Sequence, residues 1–313
     1  MAISGTGAQN DPYLVASVSD ISDAITAVRA KTDAGTYYIK LTASIDGSWS
    51  KFPVLDFDDT TTKFFDFDGG STDSTPKTIT NFVFDDGVLF GVNGDIIRNT
   101  TLYNFYTDDD SNGYIKGVES INSSLSCRVD SHKVAQLDGI KMTRSAFWSY
   151  VENYDTAEPL VKFRESSATP GSDDNSNECD YMLKVVNVNH SSSLVKLFSD
   201  PGLATVGVDS RIQGHITNIT PSTIARYPAI CDGNTYFENS VINFDMPAYS
   251  GTVSGNATDI VPVGSTGIIN SDKILETTYC NYTMNNLIAV TDTEMHSASQ
   301  LTAKGFPVYD ITP

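Results

Sequence analysis

Basic residues and glutamate are scarce in this 313-residue sequence. Only 20 Lys plus Arg stand against 39 acidic residues, a formal charge of −19, and the acids divide into 31 Asp and 8 Glu. Such a surface repels phosphate backbones and anionic headgroups, so nucleic acid and membranes are excluded as partners. No apolar run reaches the ~18 residues of a membrane span. The opening Met1-Ala2-Ile3-Ser4-Gly5-Thr6-Gly7 lacks the basic start and apolar stretch of a secretory signal. Cys127, Cys179, Cys231 and Cys280 are scattered without a CxxC pair, which excludes a zinc ribbon or thioredoxin-like motif and predicts buried thiols. No G-x-S-x-G elbow, H-E-x-x-H helix or phosphate loop occurs, and His132, His190, His215 and His296 lie far apart. Neither a cofactor nor a metal site is expected.

What is present points to strands. Asp suits turns and caps whereas Glu suits helix interiors, so the Asp excess argues against a helical protein. Fifteen Tyr, 15 Phe and 22 Gly, with many Thr, Val and Ile, fit short strands joined by tight turns. One helix is predicted near residues 19–32, capped by Ser19, with Ile21, Ala24, Ile25 and Val28 on its apolar face and Gly35 at its end. Thr291-Asp292-Thr293-Glu294 has capping-box spacing and predicts a second helix with Met295, Ala298 and Leu301 as its apolar stripe.

Between them lie short β-branched or aromatic runs, each with an Asn inside or beside it. They include Ile79-Thr80-Asn81-Phe82, the single run Ile96 to Phe105, Leu183-Lys184-Val185-Val186-Asn187-Val188, His215 to Ile219, Asn239 to Phe244 and Tyr279 to Met284. Asn at a fixed corner can adopt the left-handed backbone and stack on its copy in the next repeat. These repeats are structural rather than literal and predict an all-β solenoid with covered ends. The predicted organisation is a lead and cap helix over 1–36, a parallel β-helix over 37–290 with irregular insertions at about 106–180, and a C-terminal helix and tail over 291–313. Val186 is placed inside the coil.

Three stretches carry a family resemblance. Gly5-Thr6-Gly7 to Asp11-Pro12-Tyr13-Leu14-Val15 with its helix, Phe65-Asp66-Phe67-Asp68-Gly69 through Val88-Leu89-Phe90-Gly91-Val92 to Ile96-Ile97-Arg98-Asn99, and the closing Val290 to Pro307 cover about a third of the chain. They resemble right-handed, single-stranded parallel β-helix (pectate-lyase-like) proteins of bacteriophage virions and bacterial surfaces. The resemblance implies a homo-oligomer, with a trimer expected. It also implies a structural virion protein on the particle exterior: a tail spike, fibre or capsid decoration, made in the host cytoplasm and meeting other virion proteins and host surface polysaccharide. A polysaccharide depolymerase and a bacterial surface adhesin are the alternatives.

Two residue sets could carry chemistry. Glycoside hydrolysis needs two carboxyl groups about 5–9.5 Å apart; Asp56, Asp58, Asp66 and Asp68 alternate along strand-like runs, while Asp108, Asp109 and Asp110 read as a solvated loop. Turn formation, solubility or a casual cation site accounts for these Asp residues more simply, so no catalytic residue is assigned. The aromatic cluster Phe147, Trp148, Tyr150 and Tyr154 is the candidate binding set, for a glycan or a subunit contact, with core packing as the alternative.

Overall fold

The computed structural model describes residues 3–52, 63–70, 77–83, 95–107, 115–163, 176–191, 196–199, 205–226, 228–231, 236–247, 249–255, 265–271, 287–295 and 297–304. The protein is mostly β, with long parallel sheets. A ten-stranded sheet runs, in spatial order, through Ile45–Lys51, Thr78–Val83, Thr101–Thr107, Ser124–His132, Ala146–Tyr154, Asp180–Val188, Arg211–Ile216, Ser240–Asp245, Gly267–Asn270 and Leu287–Val290. A thirteen-stranded sheet combines two ladders that meet in Leu137–Thr143, whose first half pairs with Val161–Phe163 and whose second half pairs with Glu119–Ile121 and Ser176–Asn177. From Ser124 to Ser240 the chain visits these three ladders in one repeating order. Pairing partners such as Leu125 and Phe147, or Tyr181 and Ile212, are therefore 22 and 31 residues apart in sequence.

Strand alternation places the core. Ser124–His132, Ala146–Tyr154 and Asp180–Val188 bury the same four positions. In register these are Leu125, Phe147 and Tyr181; Cys127, Ser149 and Leu183; Val129, Val151 and Val185; and His132, Tyr154 and Val188. Each rank stacks side chains of successive passes into a column. Phe52, Phe82 and Phe105 form one aromatic group at 5.0–5.7 Å between centroids. Tyr181 and Phe198 pack edge to face at 5.0 Å in another. Gly214 continues the Leu183 rank because a Cβ there would sit 1.9 Å from the Leu183 carbonyl oxygen, and its φ of +133° excludes ordinary side chains.

One corner recurs in six successive passes. Asn99, Asn122, Arg144, Glu178, Asp209 and Asn239 all have φ between 47° and 53°. Asn99 Nδ2 donates to Asp68 (3.2 Å), Asn122 Nδ2 to Asn99 (3.4 Å), and Asn239 to Asp209. The predicted Asn stacking is thus present here, and again where Asn104 donates to Asn81 and Asn218 to Asn187. The next residue, Thr100, Ser123, Ser145, Cys179, Ser210 or Ser240, is buried every time. Ser123, Ser145, Ser210 and Ser240 hydroxyls accept from the backbone N–H of Thr100, Ser123, Cys179 and Ser210, satisfying corner donors that no strand reaches. Arg144 interrupts the Asn column in a backbone conformation that costs most L-residues about 1–2 kcal/mol. Arg144→Asn should therefore raise stability by about 0.5–1 kcal/mol in a denaturant titration.

Several expectations need correction. The first helix spans Val18–Arg29 and is capped by Ser17, whose Oγ accepts from Asp20 N at 3.2 Å, rather than by Ser19; Ile21, Ala24, Ile25 and Val28 are buried as predicted. Gly35 opens a strand instead of closing the helix. The run Ile96 to Phe105 is divided, because left-handed Asn99 turns the chain between Ile96–Arg98 and Thr101–Thr107. Thr291 and Glu294 do exchange capping-box bonds, but the helix there breaks into Asp292–Met295 and Ala298–Ala303. Residues 106–180, expected to be irregular, hold two nine-residue strands, Ser124–His132 and Ala146–Tyr154. Ser, Arg, Asp, Glu and Asn on their outer faces disguise a regular inner alternation. Val186 is only partly buried; Val185 is the inward residue. Cys127, Cys179 and Cys231 are buried thiols not joined by disulfides. Cys280, His296, Val88 to Val92, the Tyr279 to Met284 run and the Gly305-Phe306-Pro307 ending lie outside the described residues.

Candidate functional site

The predicted aromatic cluster is split by the pleat of its own strand. Phe147 and Tyr154 face inward and are fully buried. Phe147 fills the column between Leu125 and Tyr181, while the Tyr154 hydroxyl donates toward the Lys196 carbonyl (2.7 Å) and that of Glu158, so neither residue can meet a ligand. Tyr150 faces outward between two cations, with Arg128 Cζ 5.0 Å and Lys184 Nζ 5.4 Å from its ring centroid. Only Trp148 stands open, 53 % exposed.

Trp148 belongs to an outward row crossing the ten-stranded sheet. Pairing places it between Ser126 and Met182, with Gln213 and Asn243 beyond. On the other side Tyr103 follows the Leu102–Leu125 pair and is 51 % exposed. The row carries no formal charge. Around Trp148 lies a groove of about 340 Å³, with Tyr103 and Met182 on its walls and the small residues Ser124, Ser126 and Ala146 on its floor. Asp180 and Arg211 close one side as a bidentate pair, Nε to Oδ1 at 2.8 Å and Nη2 to Oδ2 at 2.9 Å. An open indole beside polar groups on a rigid sheet suits a ligand with alternating apolar and hydroxylated surfaces.

Of the carboxylates, Asp56, Asp58, Asp108, Asp109 and Asp110 lie outside the described residues. Asp66 and Asp68 do come together, in a second groove of about 340 Å³ on the other sheet that also holds Lys40, Tyr38, Gln9 and Arg98. Asp66 is buried and paired with Arg98, whose Nε approaches Oδ1 at 2.6 Å. Burial pushes its carboxyl above the usual range, and the Arg98 guanidinium opposes that shift. Asp68 Oδ1 accepts from Gly70 N (2.8 Å) and Asn99 Nδ2 (3.2 Å). Among the described residues, no group of three His, Cys, Asp or Glu is placed to hold a metal.

Sequence reasoning missed Tyr103 and Met182, which sit in strands far from Trp148 in the chain. It also missed Trp49, 53 % exposed at the other end of the same sheet. Ser48 and Trp49 are both left-handed, at φ 46° and 63°, a costly state for a bulky side chain. Their bulge is held by Asp46 Oδ1, which accepts from Ser48 N (2.9 Å) and Asn81 Nδ2 (3.1 Å).

No protein-family model and no curated protein matches the chain. Among solved structures, a Bacteroides ovatus protein provisionally named an immunoglobulin A1 protease is similar over 99 % of this chain and 95 % of its own, at 12 % identity and a TM-score of 0.44.

Proposed function

We propose that the chain is a right-handed parallel β-helix serving as a non-enzymatic structural protein on the exterior of a bacteriophage particle, where its Trp148 groove contacts host surface glycans. The coil supports this architecture through three parallel ladders visited in fixed order and through corner columns that repeat with each pass. The virion setting, assembly with copies of itself and the tail spike, fibre or capsid decoration role rest on the sequence resemblance. The observation that carries the binding role is the open Trp148 ring in a groove walled by Tyr103 and Met182. Because Trp148 faces outward, its removal should leave folding intact. Trp148→Ala should weaken binding to host capsular or wall polysaccharide by about tenfold or more while changing stability by no more than about 0.5 kcal/mol. Unchanged binding in affinity electrophoresis would remove this groove from the interaction.

A depolymerase on the same scaffold is the second reading, favoured by the Asp66–Asp68 pair beside Arg98. A buried carboxyl whose proton affinity is raised by burial, with a second carboxyl in the same groove, is the residue set that acid–base cleavage of a glycosidic bond uses. Release of new sugar ends from the polysaccharide, lost in Asp66→Asn, would put this reading first. Binding without release, in a protein of stable oligomeric mass, supports the structural role.

A further inference from the structure

Exposed large apolar residues are not spread evenly over the protein. Among the described residues they are Leu14, Trp49, Tyr103, Trp148 and Met182, and all but Leu14 belong to the ten-stranded sheet. Their strands follow a rhythm. Trp49 lies two strands from Tyr103, Tyr103 two strands from Trp148, and Met182 one strand further. At the usual spacing between paired strands, rings recur about every 10 Å over a track of roughly 24 Å. Between the rings of Tyr103 and Trp148 the row offers the hydroxyl of Ser126, and beyond Met182 the amide of Gln213.

Resting on the glycan-binding reading above, we infer that the ligand is an extended, uncharged polysaccharide lying across the strands along the stacking direction, with Trp49 as a distal platform of the same site that Trp148 centres. Three observations converge. From Thr80 to Asn243 the row is uncharged in a chain with 59 acidic and basic residues. The Asp180–Arg211 charges beside it neutralise each other, and the one acid in register with it, Asp46 at the Trp49 end, is engaged by Ser48 N and Asn81 Nδ2, so no unengaged charge in the row selects an ionic ligand. The ring spacing suits a polymer whose faces recur, because a single sugar spans only one platform. Trp49 is held out to solvent in a left-handed conformation that no packing requirement of an exposed ring explains.

The test is affinity against chain length, measured on the intact protein with size series of cello-oligosaccharides, neutral chito-oligosaccharides and dextrans, and with oligogalacturonates as the charged comparison. In at least one neutral series, affinity should rise with length until the chain spans the track. Trp49→Ala should weaken the longest members by about tenfold and leave the trisaccharide unchanged, whereas Trp148→Ala should weaken both. Length-independent affinity, or Trp49→Ala binding like the parent while Trp148→Ala fails, would overturn the extended track and leave the Trp148 site standing. Tighter binding of oligogalacturonates than of neutral chains of equal length would overturn the uncharged class. Absence of any Trp148-dependent binding across all series would overturn the glycan reading itself.

Discussion

Val185→Asp is expected to cost about 3–5 kcal/mol, enough to prevent folding or to shift the denaturation midpoint far below that of the parent. Val185 is fully buried between Val151 and Ile216 in its column, with no cation in register with it. A carboxylate there either stays ionised without a partner or takes up a proton at similar cost. Val186→Asp, one residue on and half-turned to solvent, should cost about 1 kcal/mol or less. Urea titrations of the pair check the register of the whole strand, because a one-residue slip exchanges the two outcomes.

Acid should weaken the protein through His132. This imidazole is fully buried against Tyr154, 4.6 Å between ring centroids, and its Nε2 faces the Glu158 carbonyl at 3.2 Å. Burial lowers its pKa from 6.5 to about 4. Between those values the unfolded chain binds the proton and the folded one does not, so stability rises with pH. The contribution is fully present above pH 6.5 and is lost as pH falls to about 4, a difference of about 3 kcal/mol. His132→Gln should flatten that part of the stability–pH curve relative to the parent. An equal slope in both proteins would assign acid sensitivity to the carboxylates instead.

The legible part of this protein is what repeats. Asn81, Asn99, Asn104 and Asn239 marked the corners because an Asn column has a local cause, the ease with which that residue turns left-handed and bonds a neighbour in the next pass, while Asn187 and Asn218 bond each other without that turn. The apolar face of the first helix was legible from spacing alone. Ser123, Ser145 and Ser210 were not, since a buried serine looks like a loop serine until the neighbouring pass supplies its partner. The aromatic cluster was found but not resolved. Phe147 and Trp148 are adjacent in sequence and opposite in space, and only the pairing of Leu125 with Phe147 says which one faces in. Tyr103, Met182 and Trp49 share the surface with Trp148 through strand order, which no local motif encodes.

The bulge at Ser48–Trp49 has an effect beyond the ligand it is held out to meet. Among the described residues Ile45–Lys51 is the edge of the ten-stranded sheet, and a flat edge of parallel strands is a template on which another molecule can polymerise. Gly47 to Trp49 throw that edge out of register, with three residues opposite Asn81 alone, so a second chain finds no continuous row of backbone groups to extend. The same distortion that displays an indole thus guards against end-to-end fibre growth.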